Sequence, residues 1–514
     1  RCEMIYLIGI DIGTTNIKVL LLEAKSGKTV AIENKTYEIE IPEKGYAEYN
    51  PEKWYEDCCE CLKRILKNTK VNPKDIKAIG LSGQMHGLIS LDEAGKPVYP
   101  AILHCDTRSE RQIIVIKEKI DDSIIREELN NSLYTGFLLP SLCWVYDERP
   151  QLYERIRYVM LPKDYINYRL TGNICTDYSD ASATLAFDIK SGCWSKNVLN
   201  RLNISEGLFP EIKNSYDVVG TITERSAAET GLDMGTAVIC GGGDAVMQSL
   251  GNGLIDSKYA IINIGTSGQV LFSSSKLIEN PELNTNIFCG YQKDNWISMG
   301  AIMSAGACYK WVTNLISESD YKAFDEKIAQ VPIGSNGLIF LPHLNGERTP
   351  YLDPTLRGAL IGISLESGKK EIGRAVMEGV SFALMLCYEV CLGLGLDTET
   401  FIISGGGSKS TMWTQMFSDI FNKPVKVSEM TEQAAVGAAM CAGVGVGVYS
   451  DIQDAVDHIV NISEKTYYPN SIAHEEYMKY YELFKNVYIS NKNILREIYN
   501  QWYYDARKNR EIML

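Results

Sequence analysis

The sequence lacks several features that commonly identify a protein's role. It holds no run of eighteen apolar residues, so we predict no membrane span, and its first residues include no secretory apolar segment. Its fourteen cysteines follow no paired framework, which is typical of a reducing cytoplasm, where we expect the protein to be. Cys58 and Cys61 have CxxC spacing without a second pair, and they are better interpreted as helix cysteines than as zinc or redox ligands.

Two common nucleotide-binding motifs are also missing. No GxxxxGK[ST] motif occurs, because Leu22 stands where Gly27-Lys28-Thr29 would require its first glycine, and no GxGxxG follows a predicted strand. These absences exclude a P-loop and a simple dinucleotide-binding fold. The net charge of −14 disfavours nucleic acid or an anionic membrane as a partner. A small anionic substrate stays compatible with it, since local lysines, arginines and a metal can offset the overall field.

The length and the alternation of elements predict two α/β domains. A chain of 514 residues exceeds the size at which one core keeps growing. Predicted strands alternate with helices, which favours sheets covered by helices. We predict domains over 1–250 and 251–490, joined at a hinge around Gly251-Asn252-Gly253, and a helical tail over 491–514. The predicted strands are Ile5–Ile10, Lys18–Leu22, Ile76–Leu81, Ala237–Cys240, Tyr259–Ile264, Gly337–Leu341 and Phe401–Ser404, and the predicted helices include Pro51–Lys67, Lys369–Leu394 and Met412–Phe421.

One hydroxyl-bearing glycine turn occurs in each half of the chain. Gly13-Thr14-Thr15 and Gly265-Thr266-Ser267 each follow an apolar strand and precede another, and their glycines are 252 positions apart. Backbone N–H groups and hydroxyls that converge at such turns form sites for phosphate oxygens. Two such turns predict a nucleotide held between two related domains.

Glycine triplets follow two other predicted strands, at Gly241-Gly242-Gly243 and at Gly405-Gly406-Gly407. Glycine lets the backbone approach a ligand closely and adopt positive φ. If each triplet opens a helix, it places helix N-terminal amides at a cleft. A tight strand-to-helix turn explains one triplet equally well, but two triplets together with two hydroxyl turns favour a shared cleft.

Asp11 and Asp244 both stand at the end of a predicted strand among glycines. Phosphoryl transfer needs one carboxylate near Mg²⁺ and another to accept the proton of the attacking hydroxyl. Helix or turn capping is the alternative role for each. Capping explains Asp11 poorly, because isoleucines flank this residue. For Asp244, capping stays open as an alternative.

The loop Gly83-Gln84-Met85-His86-Gly87 closes another predicted strand. A histidine in such a turn either satisfies a core hydrogen bond or contacts a ligand. The chain has five histidines in all, and the glycines around this one leave space, so a contact to a sugar hydroxyl is a reasonable hypothesis.

These residues, taken in order, resemble the FGGY carbohydrate kinases, and among them the xylulokinases. The similarity runs from about Tyr6 to at least Gly447. It rests on the turns and triplets above together with Leu161-Pro162-Lys163-Asp164-Tyr165, Thr176-Asp177-Tyr178-Ser179-Asp180-Ala181, Gly346-Glu347-Arg348-Thr349-Pro350, Ser408 and the segment from Gly358 to Gly379.

The resemblance implies two actin-like, ribonuclease-H-like domains that close on ATP, Mg²⁺ and a sugar. It implies Asp244 as the catalytic base and Asp11 as the Mg²⁺ carboxylate, partly through water. The candidate nucleotide-binding residues are Asp11, Gly13, Thr14, Thr15, Lys18, Gly265, Thr266, Ser267, Gly406, Gly407 and Ser408. The candidate sugar-binding residues are Gln84, Met85, His86, His104, Asp106, Phe137 and Asp244.

Three positions depart from the xylulokinase pattern. Ala245 stands where an asparagine usually contacts the sugar, His104-Cys105 replaces Trp-Asn, and Ser141 replaces a lysine. A sugar hydroxyl left buried without its partner costs roughly 1–3 kcal/mol. These departures weaken the sugar assignment more than the kinase assignment.

The sequence therefore predicts ATP-dependent phosphorylation of the terminal primary hydroxyl of a ketopentose, with D-xylulose as the expected substrate. Two alternatives stay open. One is a related kinase for another ketose or polyol, such as ribulose, sedoheptulose or a signalling sugar, and the other is an actin-like ATPase or sugar sensor without kinase activity. We expect no nucleic-acid or membrane partner. A homodimer is compatible with the sequence, which does not determine the oligomeric state.

Overall fold

The computed structural model describes residues 4–512, and side chains through residue 502. Two mixed β-sheets carry the fold, one in each half of the chain, with helices on their faces. This arrangement confirms the predicted α/β class with two related sheets.

The first sheet has the strand order β13-β14-β5-β1-β2-β3, with β15 beside β5. The strands of this half are β1 (Tyr6–Ile12), β2 (Asn16–Glu23), β3 (Lys28–Thr36), β4 (Glu48–Tyr49), β5 (Ile76–Gly83), β6 (Ile89–Leu91), β7 (Ala101–Ile102), β8 (Tyr158–Met160), β9 (Cys175–Asp177), β10 (Phe187–Asp188), β11 (Cys193–Trp194), β12 (Glu211–Lys213), β13 (Val218–Thr221), β14 (Ala237–Ile239) and β15 (Gly242–Gly243). Strands β1, β2 and β3 are antiparallel neighbours, whereas β5 and β14 continue the sheet in parallel with β1.

The second sheet has the order β18-β19-β17-β16-β22-β23-β24. Its half contains β16 (Tyr259–Ile264), β17 (Gly268–Ser274), β18 (Asn286–Cys289), β19 (Trp296–Ile302), β20 (Ile339–Leu341), β21 (Ala359–Ile361), β22 (Thr400–Ser404), β23 (Val425–Ser428) and β24 (Ile462–Tyr467). Strands β19, β17 and β16 are antiparallel, and β22 and β23 follow in parallel. The order β19-β17-β16-β22-β23 thus repeats β3-β2-β1-β5-β14, so the two halves share one topology.

Helices cover both sheets. The helices of the first half are α1 (Pro51–Thr69), α2 (Glu110–Lys119), α3 (Asp122–Ile124), α4 (Leu138–Glu148), α5 (Pro150–Tyr153), α6 (Pro162–Thr171), α7 (Tyr178–Ser182), α8 (Lys196–Arg201), α9 (Glu224–Thr230) and α10 (Asp244–Gly251). Those of the second half are α11 (Gly306–Leu315), α12 (Tyr321–Ile328), α13 (Lys369–Gly393), α14 (Thr411–Phe421), α15 (Gln433–Gly445), α16 (Ile452–Ile459) and α17 (Ser471–Ile512). Cys58 and Cys61 lie buried in α1 as free thiols, as expected of helix cysteines.

Helix α15 belongs to the second half of the sequence but packs against the first sheet and α10. Glycines make this close approach possible: a Cβ at Gly9 in β1 would lie 1.8 Å from the carbonyl oxygen of Ala435, and one at Gly80 in β5 would lie 1.9 Å from that of Ala438. On the other side of α15, a Cβ at Gly437 would lie 2.0 Å from the carbonyl oxygen of Met247. The predicted hinge begins at Gly251, the last residue of α10, and its Asn252 is fully buried.

Side-chain amides join the halves at a second place. The buried side chain of Asn131 donates to the carbonyl oxygen of Ile287 at 2.7 Å and accepts from its N–H at 3.0 Å. Asn130 likewise donates to the carbonyl oxygen of Ile278 at 2.8 Å. The halves are therefore connected both at the α10–α15 contact and at this bridge.

Two long helices bear on the sequence expectations: α13 agrees with its predicted range, and α17 does not keep to the predicted tail boundary. Length and composition would let α13 cross a membrane, but 78% of its most apolar window is buried inside the protein, which is the environment of a core helix. Helix α17 continues without a break from Ser471 to Ile512, so the predicted boundary at residue 491 falls inside it. Its buried residues Tyr477, Tyr481, Phe484 and Tyr488 pack on the core of the second half.

Candidate active site

The first hydroxyl turn connects β1 to β2. The N–H of Gly13 donates to the carbonyl oxygen of Asn16 at 3.0 Å, which closes the turn. Behind it, the hydroxyl of Tyr37 donates to the carbonyl oxygen of Gly13, and the N–H of Tyr37 donates to that of Thr15 at 3.0 Å. Thr15 is exposed and Thr14 is half-buried at the tip of the turn. Apart from the N–H of Gly13, the hairpin is thus fixed through its carbonyl oxygens, which suits a turn that offers its remaining N–H groups and its hydroxyls to an anion.

The second hydroxyl turn connects β16 to β17 and is fixed in the same manner. The carbonyl oxygen of Gly265 accepts from the N–H of Gly306 at 2.9 Å, and that of Thr266 accepts from the N–H of Ala305 at 2.9 Å. These donors belong to the start of α11. Thr266 is exposed and Ser267 half-buried. Each turn therefore forms the tip of a hairpin in its own sheet, and the two turns occupy equivalent places in the two halves.

The glycines after β22 form a third backbone loop beside the second turn. Gly405 has φ +82°, and a Cβ there would lie 2.5 Å from the carbonyl oxygen of Ile264, the last residue of β16. Gly406 is exposed, and the hydroxyl of Ser408 donates to the carbonyl oxygen of Gly405 at 2.7 Å. The loop continues as a 3₁₀ turn through Lys409 before α14 begins at Thr411. The structure thus brings Gly406, Gly407 and Ser408 next to the strand that carries Gly265.

The first glycine triplet does not provide free amides, contrary to the expectation from its sequence. The N–H of Gly241 donates to the carbonyl oxygen of Ser215 at 2.8 Å, and that of Gly243 donates to the hydroxyl of Ser179 at 2.9 Å. Gly241 has φ +73°, and Gly242 and Gly243 pair in parallel with β5. This triplet lets the chain pass close to β5 and to Met85. Asp244, the residue after it, occupies the first position of α10.

The two carboxylates predicted to do the chemistry meet at one edge of the first sheet. Asp11 in β1 pairs with Ser82 in β5, which in turn pairs with Gly242 two residues before Asp244. Because these strands are parallel, their carboxyl ends share one edge, which is where open α/β sheets bind ligands. The hydroxyl of Ser82 donates to Oδ1 of Asp11 at 2.9 Å.

The negative charge of Asp11 acts on the carboxyl group of Asp244. Burial, and after it the negative charge of Asp11, raises the pKa of Asp244 to about 7. Burial also raises the pKa of Asp11, against the opposing effects of the Ser82 hydrogen bond and the charge of Lys18. Among the described residues, the carboxylate of Asp244 accepts a hydrogen bond only from the N–H of Ala245, at 2.7 Å. Asp244 thus has the basicity and the free acceptor capacity that a general base needs.

Lys18 lies opposite Asp11 in the β1–β2 hairpin but is paired elsewhere. Its Nζ lies 2.5 Å from Oε2 of Glu432, which precedes α15. Glu432 also has φ +51°, an uncommon conformation for a side-chain-bearing residue. Sequence reasoning missed this acidic partner, because it is more than four hundred positions away along the chain.

The predicted sugar-side residues Met85, His86 and Phe137 lie together. The ring of His86 stacks on that of Phe137 with centroids 3.8 Å apart, and its Nδ1 is 2.8 Å from the carbonyl oxygen of Ala183. Burial lowers the pKa of His86 to about 3, so the imidazole is neutral. Met85 lies against Gly243, where a Cβ would be 2.6 Å from its Cγ. This places the sugar-side cluster directly beside the residue that precedes Asp244.

Asp106 is fully engaged in protein contacts, whereas Gln84 is engaged only through its amide nitrogen, because its buried Oε1 has no hydrogen-bond partner among the described residues. Gln84 is buried beneath the first turn, where its Nε2 donates to the hydroxyl of Tyr37 at 3.1 Å. Both oxygens of Asp106 accept from Arg108, and Oδ2 also accepts from the N–H of Ala47 at 2.6 Å. Asp106 is fully buried in this ion pair. Its contacts support a role in holding the loop, rather than the predicted contact with the sugar.

His104 and Arg348 both act electrostatically on His86. Burial, with the charge of Arg348, lowers the pKa of His104 to about 4, and its buried Nδ1 has no hydrogen-bond partner among the described residues. The same arginine charge acts on His86 and on Tyr134. Arg348 belongs to the second half, where its N–H donates to Oε1 of Glu347 at 2.9 Å. In the part of the chain with described side chains, its guanidinium group has no ion-pair partner.

Arg348 and Ser82 were missed as site residues by the sequence reasoning. Arg348 was visible as part of the Gly346–Pro350 motif, but nothing local shows which way it points. Of the positions that depart from the xylulokinase pattern, Ala245 is half-buried against the first core. Ser141 is fully buried, and its hydroxyl has no hydrogen-bond partner within residues 4–502.

The residues present fit a magnesium ion only as part of a larger ligand set. No group of three or more histidine, cysteine or acidic side chains in the described part of the chain could hold a metal by itself. The carboxylate of Asp11, oriented by Ser82, can contribute one ligand, and a Cβ at Gly13 would lie 3.9 Å from its Oδ2. Mg²⁺ commonly binds one or two carboxylates together with waters and substrate phosphates.

Comparison with known proteins gives the family. The N-terminal domain of the FGGY family of carbohydrate kinases matches residues 6–251, and its C-terminal domain matches residues 260–446. A xylulose kinase of Bacillus subtilis (strain 168) is 35% identical over 492 residues, which are 96% of this chain and 98% of that protein. A xylulose kinase of Staphylococcus xylosus is 35% identical over 486 residues, covering 94% of this chain and all of that one.

A solved structure shows the same architecture. The crystal structure of ligand-bound xylulose kinase from Lactobacillus acidophilus superimposes with a TM-score of 0.89 at 26% identity, covering 95% of this chain and 98% of that one. The match extends over both halves, and it confirms the predicted two-domain, actin-like fold.

Proposed function

Because the chain belongs to the FGGY family of carbohydrate kinases, we propose that it transfers the γ-phosphoryl group of ATP to the terminal primary hydroxyl of D-xylulose, forming D-xylulose 5-phosphate. The observation that carries the proposal is the meeting of Asp11 and Asp244 at the edge of the first sheet, beside a neutral, stacked His86. The fold and the kinase family are established by the comparisons, whereas the sugar and the residue roles are our proposal.

Asp244 is the proposed general base. Its raised pKa, near 7, matches a group that accepts a proton near neutral pH, and no described side chain donates to its oxygens. As the sugar hydroxyl attacks the γ-phosphorus, the O–P bond to the sugar forms, the bond to the β-phosphate oxygen breaks, and the hydroxyl proton passes to Asp244. ADP leaves with the electron pair of the broken bond.

The nucleotide is proposed to bind between the two hydroxyl turns. Gly13, Thr14 and Thr15 would contact the transferred phosphoryl group, and Gly265, Thr266 and Ser267 the remaining phosphates. Gly406, Gly407 and Ser408 would lie beside the adenosine. Support comes from the equivalent placement of the turns in two halves of one topology, and from carbonyl oxygens already bound behind each turn.

Magnesium is proposed to bind at Asp11, partly through water, together with phosphate oxygens. When bound, it would neutralise charge that develops on those oxygens. Asp11 itself is held by Ser82, and its charge is balanced in part by Lys18.

The sugar is proposed to bind among Met85, His86, His104, Phe137 and Arg348. Neutral imidazoles donate and accept hydrogen bonds, as sugar hydroxyls do, and the Nδ1 of His104, which has no partner among the described residues, is an available group of this kind. A second candidate, a kinase for another ketose or polyol, is favoured by one observation: the methyl group of Ala245 cannot form a hydrogen bond to the substrate, at a position directly after the base.

The test is coupled ADP release with a panel of D-xylulose, D-ribulose, sedoheptulose, glycerol and gluconate. We expect D-xylulose to give the highest kcat/KM. Faster turnover of another sugar would replace the substrate assignment but not the family. Hydrolysis of ATP that no sugar accelerates would instead support an actin-like ATPase, and no turnover with any sugar would support a sensor. Asp244→Asn should remove turnover while retaining nucleotide binding, and near-normal turnover in that variant would refute the base assignment.

We also propose a cytoplasmic location, which the free thiols of the described cysteines support.

A further inference from the structure

A buried cluster of charged groups lies behind the candidate active site. Nζ of Lys163 lies 2.5 Å from Oδ1 of Asp164, 3.1 Å from Oδ1 of Asp177 and 3.2 Å from Oδ2 of Asp180, and the four side chains are inaccessible to solvent. One ammonium group cannot neutralise three carboxylates, and uncompensated buried charge is costly. Burial accordingly raises the pKa of Asp164 and of Asp180.

Asp177 connects this cluster to two serines. Its Oδ2 accepts from the hydroxyl of Ser179 at 2.5 Å and from the hydroxyl of Ser215 at 3.1 Å. It also accepts from the N–H of Ser179 at 2.9 Å, as the N-cap of α7. Asp177 therefore fixes the hydroxyl of Ser179 in one orientation.

Ser179 extends the connection to the backbone that carries Asp244. Its hydroxyl accepts from the N–H of Gly243 at 2.9 Å, and Gly243 is the residue before Asp244. The same backbone is held at Gly241 by the carbonyl oxygen of Ser215, and at Cys240 by Nδ2 of Asn167 at 2.8 Å. On its other face, Gly243 lies against Met85 with no room for a Cβ.

The carboxylate of Asp244 depends on this backbone for its position. The hydrogen bond that this carboxylate accepts comes from the backbone N–H of Ala245. No side chain in the described part of the protein donates a hydrogen bond to it. A base without side-chain partners can be oriented only by the geometry of the chain at the start of α10. Misplacement by about 1 Å can cost about 10²-fold in rate.

We propose that Ser179 and Asp177 are positioning residues for phosphoryl transfer, with Lys163 as their counter-charge, and that they orient Asp244 through the N–H of Gly243. This inference rests on the proposed function only for its kinetic test. The arrangement itself is a path that begins with the ion pair of Lys163 and Asp177, continues through hydrogen bonds to Ser179 and Gly243, and reaches the base along the chain.

The decisive variant is Ser179→Ala, and Ser215→Ala is its matched control. Both variants remove a buried hydroxyl that donates to Asp177. Only Ser179→Ala also removes the acceptor of Gly243, since Ser215 holds Gly241 through its own backbone oxygen. We expect kcat to fall by about 10- to 100-fold in Ser179→Ala, with the KM for ATP within about twofold of wild type. In Ser215→Ala we expect kcat to stay within about threefold of wild type.

A second readout does not require sugar turnover. The pKa of Asp244, followed through its carboxyl ¹³C resonance, should differ from the wild-type value in Ser179→Ala and stay unchanged in Ser215→Ala. Equal effects of the two variants on kcat and on this pKa would overturn the proposal and leave the serines a purely structural role. If wild-type protein phosphorylates no sugar, the proposed function fails, and the resonance still decides the positioning role.

Discussion

The ionisation of Asp244 sets the pH range in which the proposed transfer can occur. A base must be deprotonated to accept the hydroxyl proton, and the pKa of Asp244 is raised to about 7 by burial and by the charge of Asp11. We therefore expect kcat/KM to fall tenfold per unit as pH decreases below about 7. His86 and His104 cannot produce this limb, because burial lowers their pKa values to about 3 and about 4.

The same shift has a consequence for stability that provides a control. A carboxyl group whose pKa is higher in the folded protein than in the unfolded chain destabilises the fold once it is ionised, so stability is lost as pH rises through about 7. Asp244→Asn removes this effect. Its melting temperature should exceed that of wild type at pH 8 and match it near pH 4. A lower melting temperature of the variant at pH 8 would contradict the raised pKa.

Arg348 is the cation that the second half contributes to the proposed sugar site, where its charge acts on His86 and His104. Arg348→Met should raise the KM for the sugar about 10- to 100-fold, since a hydrogen bond to a charged group contributes about 1.5–3 kcal/mol, and leave the KM for ATP within about twofold. Steady-state kinetics with each substrate varied would show this. Arg357→Met, which removes an arginine bonded to backbone oxygens near the surface, is the matched control and should change neither constant. Equal changes in the KM for the sugar and the KM for ATP in Arg348→Met would show that Arg348 does not bind the sugar specifically.

At the scale of single residues, the sequence indicated which residues are candidates for the site but not which residues they contact. Asp11, Asp244 and His86 were proposed from their positions at strand ends, which is a local signal, and their roles stay predictions. The hydrogen bond from Ala47 to Asp106, the pairing of Lys18 with Glu432 and the effect of Arg348 on His104 depend on contacts between distant segments, which no local pattern records.

At the scale of elements, the packing of α15 explains several glycines that sequence reasoning left without a role. Gly9 and Gly80 allow its backbone to lie directly on β1 and β5. The predicted strands and helices were found close to their observed bounds, because their apolar periodicity is local. The placement of α15 on the first sheet was not predicted, since it follows from the return of the chain across the whole molecule.

Gly80→Ala should therefore be among the most damaging small substitutions in the chain. Its Cβ would lie 1.9 Å from the carbonyl oxygen of Ala438, and backbone atoms of a helix cannot move aside separately. Overpacking costs typically 1–3 kcal/mol and occasionally more, so we expect a loss of about 3 kcal/mol or more in the free energy of unfolding. Urea denaturation measures this.

Gly393→Ala is the matched control for that experiment. Gly393 ends α13 without a positive φ, and a Cβ there would meet no atom of the described neighbouring residues within 4 Å. Replacing glycine by alanine in a helix is stabilising by up to about 1 kcal/mol, so the variant should be at least as stable as wild type. A comparable loss in both variants would show that the close contact at Gly80 is not the cause.

At the scale of the whole molecule, the two halves are joined at the α10–α15 contact and at the Asn131 bridge, with the hydroxyl turns on separate halves. The repeated glycine turns predicted this division, because a duplicated motif implies a duplicated domain. The bridge between the halves was not foreseen, since asparagines at 130 and 131 carry no sequence signal of partners some 150 positions away.

This division predicts cooperative binding of the two substrates. The proposed sugar site lies mainly on the first half and the adenosine site on the second, so the ternary complex adds contacts across the cleft that neither binary complex makes. Coupling between two such sites is typically about 1–3 kcal/mol. The Asp244→Asn variant prevents turnover during the measurement. In its thermal unfolding, D-xylulose and Mg-ATP together should raise the melting temperature by more than the sum of the increases that each ligand causes alone. Strictly additive shifts would mean that the halves bind their ligands without closing, and water would then reach the phosphoryl group during transfer.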